Sequence, residues 1–143
     1  MTDPRAVPDP NVLVAAAITP HGVCGRLVDA AIAGRWKPVA SPQVLAELSE
    51  VLLREKFRRW LTVDDAEQFV AGIASIADVV DDPPPLDKAV SADPDDDYLI
   101  ALALAEGVSA LVSGDHHLTD LIDLVPPVMT PAAFLASLDE PTR

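Results

Sequence analysis

The chain has 143 residues, half of them hydrophobic but only 4% aromatic, and a formal net charge of −13. That length fits one domain spanning 1–143 with a sizeable core, packed mainly by Ala, Val and Leu, and the acidic balance excludes a nucleic-acid binder built on a broadly basic surface. A lone cysteine, Cys24, excludes a disulfide framework and a Cys-rich zinc site; with no apolar run long enough for a bilayer and no secretory signal pattern, a soluble cytoplasmic protein is expected.

Residues 6–9 read as a short apolar strand, followed by a buried helical turn over 12–18. Helical spacing of Val23, Leu27, Val28, Ala31 and Ile32 predicts a helix over 22–33 with Gly34 as its stop. Residues 37–40 form a second strand. Ser41 and Pro42 then supply the N-cap and first-turn proline of a helix with Val44, Leu45, Leu48, Val51 and Leu52 on one face, its surface running on to Arg59. Thr62 opens the next helix, where Asp64, Asp65 and Glu67 suit the macrodipole. A short strand falls within 78–82, and Pro83-Pro84-Pro85 is a rigid connector. The run from Asp93 to Asp97 launches a helix whose body, 99–105, is apolar on all sides and therefore buried. Strands at 110–112 and 128–129 follow, then a helix capped by Thr130-Pro131 through Leu138, with 139–143 as a frayed tail. Strands alternate with helices and no hairpin chemistry joins them. An α/β fold follows: a three-layer α/β/α sandwich with a mainly parallel central sheet.

Several acids stand where an apolar run ends or a helix begins. Asp9 follows the first strand, and Pro10 biases it towards an extended conformation; such an Asp serves either a turn or a metal ion. Glu47 lies at the margin of its helix's apolar face, one turn from Val44 and Val51, while Glu50 supplies an acid on the outward side. There Glu47 snorkels, pairs with an arginine or holds a cation. Asp93, Asp95, Asp96 and Asp97 exceed what capping needs, and a nearby cation would relieve their repulsion. Asp97 adjoins the apolar helix and is the best placed, with Asp96 second and Asp93 third. Asp115 is either the N-cap of the segment through Leu121 or a ligand at the sheet edge.

In a parallel sheet these positions share one edge, so the acids can converge. An all-oxygen acidic site suits Mg²⁺ or Mn²⁺ and phosphoryl chemistry. His116 and His117 are adjacent and project differently, and His21 is remote, so no zinc site is expected. Cys24 reads as a small core residue. The one clear basic cluster is Arg54, Lys56, Arg58 and Arg59. A nucleic acid would therefore be held by bound metal, that cluster or a partner chain.

Taken in order, these segments resemble the PIN-domain family, in particular its toxin components of toxin–antitoxin pairs. Asp9-Pro10-Asn11-Val12-Leu13-Val14 is similar to that family's opening Asp-Thr-Asn-Val-Leu-Val. The stretch from Ser41-Pro42 to Leu48 resembles the helix that supplies its Glu. Asp93 to Asp97 with Ile100-Ala101 resembles its third acidic segment, Leu111-Val112-Ser113-Gly114-Asp115 its fourth, and Thr130 to Leu135 its usual ending.

The resemblance implies a metal-dependent endoribonuclease with Asp9, Glu47, Asp97 and Asp115 holding one or two Mg²⁺ or Mn²⁺ ions. Asn11 and Ser113 would support those ligands through hydrogen bonds. It also implies an antitoxin covering the acidic pocket, with the helices over 22–33 and 41–59 as contact surfaces for that partner or for a homodimer. Pro10 departs from the family's Thr and removes a hydroxyl and a backbone N–H beside the first ligand. A PIN-fold module that binds a partner with little catalysis is the alternative. A phosphatase with Asp9 as nucleophile is a weaker rival, because Asn11 stands where such enzymes want a second acid.

Overall fold

The computed structural model describes residues 4–91, 93–121 and 126–139. In chain order its elements are β1 (Arg5–Pro8), α1 (Pro10–Ile18), α2 (Val23–Ile32), β2 (Lys37–Ala40), α3 (Pro42–Leu52), α4 (Val63–Ile76), β3 (Asp78–Val79), α5 (Pro94–Glu106), β4 (Ala110–Val112), α6 (His116–Thr119), β5 (Val128–Met129) and α7 (Pro131–Leu138). The strands form one five-stranded sheet in the order β3-β2-β1-β4-β5, and every neighbouring pair is parallel. Val7 stands opposite Leu111 and Pro8 opposite Val112. The sequence resolves into the expected α/β architecture, with helices on both faces of the sheet.

Alternate strand residues feed two cores, as the period of two requires. Val7, Val39 and Leu111 point to one face and pack against Leu99, Ile100, Leu102 and Ala103 of α5. Ala6, Ala110 and Val112 point to the other and meet Leu27, Ala30 and Ala31 of α2, Trp36, and Phe134 of α7. Trp36 donates from Nε1 to the Leu27 carbonyl at 2.8 Å and packs edge-on against Phe134. A third cluster, including Leu13, Val28, Leu48, Leu52 and Ile73, joins α1 to α4. Cys24 sits half-buried against these clusters, as a packing residue.

Several boundaries are set by caps. Asp9, Ser41, Thr62, Asp93 and Thr130 each accept a backbone N–H at a helix start, and prolines occupy the first turn in four of these helices. Asp9 is thus the cap of α1, not the last strand residue. The helix expected to extend to Arg59 stops at Leu52. Arg58 folds back to donate to the Leu52 carbonyl, satisfying a helix-end acceptor, and a 3-10 turn at Glu55–Phe57 follows. The strand expected within 78–82 is only two residues long, because Val80 leaves the ladder after one further bond to Ala40. α5 ends at Gly107 in the left-handed region, at φ 57°. Asp139 pairs with Arg35; the remainder of the expected frayed tail, 140–143, lies outside the described residues. Among the described residues no single helix is long and apolar enough to cross a membrane.

The α1–α2 corner depends on Gly25. A Cβ there would lie 1.9 Å from the Pro20 carbonyl oxygen, so no side chain fits without moving backbone.

Candidate metal centre

β1 and β4 are adjacent and parallel, and the chain runs outward in opposite directions from them, to β2 and to β5. Such a switch point leaves a crevice at the C-terminal strand ends. Asp9 follows β1 there, and Ser113 and Asp115 follow β4. The Asp9 N–H donates to the Val112 carbonyl at 2.8 Å, extending the ladder by one bond and fixing the residue in place. Its carboxylate is spoken for on both oxygens: Oδ1 accepts the Asn11 N–H at 3.0 Å, and Oδ2 accepts the Ser113 hydroxyl at 2.9 Å. Ser113 Oγ in turn accepts the Asp115 N–H at 3.0 Å. One buried hydroxyl therefore links two acidic positions.

A cavity of about 440 Å³ opens over this edge, lined by Asp9, Asn11, Glu47, Asp93, Asp95, Asp96 and Asp115, with Glu50 and Arg54 at one side. Asp9 and Asp96 are the two buried acids among the described residues, each 5% exposed. Burial raises the Asp9 carboxyl above the usual carboxylate range, the bonds from Asn11 and Ser113 oppose the rise, and the charges of Asp115 and Asp93 add to it. Asp96 is pushed up to about 6, first by burial and then by Asp115, Asp93 and Asp9; its bond from Ser91 only partly offsets this. Glu47 is raised by burial and by Asp95 and Asp9, while Arg54 draws it down. These shared couplings put Asp9, Glu47, Asp93, Asp95, Asp96 and Asp115 in one electrostatic unit. Such a set favours a cation.

The third acidic segment is used differently from the sequence expectation. Asp97 does not line this cavity. Its Oδ1 accepts the N–H groups of Val90 and Ser91 at 3.1 and 2.8 Å, pinning the loop before α5, and it lines a neighbouring cavity beside Pro83, Pro84 and Pro85. Asp96 takes the inward place. With Asp93 as N-cap and Pro94 opening the helix, Asp96 lies three and four residues before the buried Leu99 and Ile100 and shares their face. Asp93 caps the Asp95 N–H and also lines the cavity.

The other expected residues fall as follows. Asp9, Glu47 and Asp115 reach the cavity, and Ser113 supports Asp9 as a hydrogen-bond donor. Asn11 supports Asp9 through its backbone N–H rather than its amide. Pro10 occupies the first helical position, where the missing N–H has no intrahelical use, so it leaves Asp9's hydrogen bonds intact. Glu50 is exposed as expected, yet it flanks the cavity and pairs with Arg54 at 3.3 Å.

Two lining residues were not singled out from the sequence as site residues. Tyr98 bridges Ser41, through a short bond, and Asp82, at 2.5 Å, and its hydroxyl is pushed up to about 12 by burial and by the Asp82 bond. Asp95 carried only the general surplus of acids. Among the described residues, no three His, Cys, Asp or Glu side chains stand close enough as placed to share an ion.

A family model described as PIN domain matches residues 5–117. An uncharacterized protein of Methanocaldococcus jannaschii is 27% identical over 120 residues, covering 83% of this chain and 76% of the relative. The crystal structure of PAE2754 from Pyrobaculum aerophilum is similar with a TM-score of 0.66 at 16% identity, over 94% of this chain and 88% of that one. That of VapBC2 from Rickettsia felis, bound to a DNA fragment from their promoter, gives 0.59 at 17% identity over 88% and 98%. Identity this low establishes the fold.

Proposed function

The chain belongs to the PIN-domain family, a family of nucleases, and from that premise we propose that it is a Mg²⁺- or Mn²⁺-dependent endoribonuclease acting as the toxin of a toxin–antitoxin pair. One observation carries the reading: two buried carboxyls, Asp9 and Asp96, open into one cavity with Asp115, Asp93 and Glu47, and burial with the neighbouring negative charges raises the proton affinity of Asp9, Asp96 and Glu47. Buried acids in mutual repulsion are stabilised by an ion with oxygen preference, and the donor set is all carboxylate. Asp9 and Asp96 would hold it, with Asp115 and Glu47 completing the acidic lining.

A bound ion there supplies water activation and charge stabilisation for attack on a phosphodiester. The chain's own residues do the rest. Ser113 and the Asn11 N–H keep the Asp9 carboxylate in one orientation. Asp96, pushed up to about 6 by burial and its acidic neighbours, would give up that proton on holding the ion. Asp93 and Asp95 at the mouth disfavour approach of a bare phosphate, so substrate affinity depends on the ion and on Arg54.

The likeness to VapBC2 supports a protein antitoxin as partner. A basic side chain from that partner would pair with the cavity acids and block the ion. The cytoplasm, where such a chain meets RNA, is the proposed location, and homodimerisation through α2 or α3 is proposed with it. The net charge of −13, which disfavours RNA at the protein surface, favours a second reading, a partner-binding PIN module with little catalysis. Incubating single-stranded RNA with the purified chain in Mn²⁺ or EDTA separates them. Ion-dependent cleavage lost in Asp9→Asn supports the nuclease; no cleavage in either buffer supports the binding module.

A further inference from the structure

The acidic cavity and the basic cluster are continuous, because Arg54 belongs to both. It lines the cavity and lowers the Glu47 carboxyl, and it begins the stretch Arg54 to Trp60 that follows α3. That stretch holds four of the ten Lys and Arg residues in a chain of net charge −13. Arg54 pairs only with exposed Glu50, whereas Lys56, Arg58 and Arg59 make no ion pair among the described residues. Trp60 is 56% exposed, although it is one of only two tryptophans and a large apolar surface. The Arg59 guanidinium lies 5.0 Å from its ring centroid, and Lys56 sits 5.1 Å from the Phe57 ring.

We propose that Arg54, Lys56, Arg59 and Trp60 form a platform for single-stranded RNA, holding backbone phosphates on the cations and stacking a base on Trp60. The proposal deepens the nuclease reading by giving its substrate a path out of the cavity. Exposed aromatic faces beside guanidinium groups, on a backbone-tracking basic strip, bind single strands with little sequence preference. The platform is also fixed in place. Arg58 turns inward and donates to the Leu52 carbonyl and, at 3.3 Å, to the Arg54 carbonyl, tying the turn to the end of α3. Its Nε and Nη1 are buried and have no hydrogen-bond partner among the described residues. A protein partner fits this strip less well, since four of its seven residues are Lys or Arg.

Trp36 is buried and hydrogen-bonded, so changes in tryptophan emission on binding report Trp60. The full chain in EDTA is titrated with an oligouridylate of about 12 nucleotides, a length within common single-strand site sizes. The expected result is quenching of the exposed emission, absent from Trp60→Phe. By anisotropy of a labelled oligonucleotide, Trp60→Ala weakens binding about tenfold. Lys56→Ala with Arg59→Ala flattens the salt slope by about 1.4. Lys37→Ala, exposed at the start of β2, changes neither, and unchanged Trp36 emission in Trp60→Phe verifies folding. Unchanged emission at saturating RNA, or equal affinity and slope in the variants, overturns the platform. So does a Trp60 shift that appears only in complex with a co-expressed protein partner, which would make the strip a protein interface. RNA binding with these sensitivities but without ion-dependent cleavage would sink the nuclease reading and leave the platform standing.

Discussion

The hydroxyl of Ser113, wholly buried, donates a 2.9 Å hydrogen bond to Oδ2 of Asp9 from 104 positions along the chain. The bond exists because β1 and β4 are parallel neighbours whose C-terminal ends fall side by side. It fixes the first acid of the cavity and, through the Asp115 N–H, the start of the segment that carries another.

Ser113→Ala leaves Asp9 Oδ2 without that donor in a buried place. Support of this kind is worth about 10- to 100-fold in metal affinity or activity. RNA cleavage measured against Mn²⁺ concentration should therefore need more ion, and thermal unfolding should cost about 1–3 kcal/mol. Cleavage with an unchanged ion requirement would show that Asp9 is positioned without Ser113.

The raised acids give the ion-free protein a definite pH dependence. Asp96 titrates near 6 in the folded chain and near its ordinary value of 3.8 when unfolded. Between those values the folded state binds more protons, so stability falls as pH rises through that window. Asp9 and Glu47 are raised too and act in the same direction. In EDTA the melting temperature should drop by roughly 2–5 °C between pH 5 and pH 7. Mn²⁺ should remove most of the drop by mass action. A melting temperature that rises over this range in EDTA would contradict the coupling.

Glu47 and Glu50 lie on the same helix and differ in surroundings. Glu47 is half-buried and coupled to Asp9, whereas Glu50 is exposed and paired with Arg54. Glu47→Gln should lower ion-dependent cleavage by about a hundredfold, and Glu50→Gln by less than about twofold. Equal losses in the two variants would remove Glu47 from the centre.

Gly25→Ala tests the corner that sets α1, and with it Asp9. A Cβ at 1.9 Å from backbone oxygen forces α1 and α2 apart, at a cost of about 2–4 kcal/mol. Urea unfolding gives the value directly. A loss below about 0.5 kcal/mol, the level of an ordinary surface change, would mean that the corner yields freely.

The parallel sheet was legible in the sequence because strand runs such as 110–112 are bounded by turn residues and alternate with capped helices. Ser41, Thr62 and Thr130 announced their helices, and the structure places each as an N-cap. The inward acid of the third segment was not legible. α5 is apolar on every side in its body, so its hydrophobic pattern has no phase, and nothing in the spacing tells Asp96 from Asp97. Only tertiary packing of Leu99, Ile100 and Ala103 against the sheet selects the face. The end of α3 was hidden for a related reason: neither glycine nor proline marks it, and Arg58 closes it from outside the helix.

That distinction gives the most direct measurement. Mn²⁺-dependent cleavage of single-stranded RNA and the Mn²⁺-induced rise in melting temperature are compared for the unaltered chain, Asp96→Asn and Asp97→Asn. Asn at 97 keeps an Oδ1 acceptor for Val90 and Ser91, so this variant should retain both responses within about twofold. Asp96→Asn should lose cleavage by at least about a thousandfold, lose the ion-induced rise, and be more stable than the unaltered chain in EDTA at pH 7. Full cleavage by Asp96→Asn, or its loss in Asp97→Asn alone, would contradict an ion centre built on the buried pair Asp9 and Asp96.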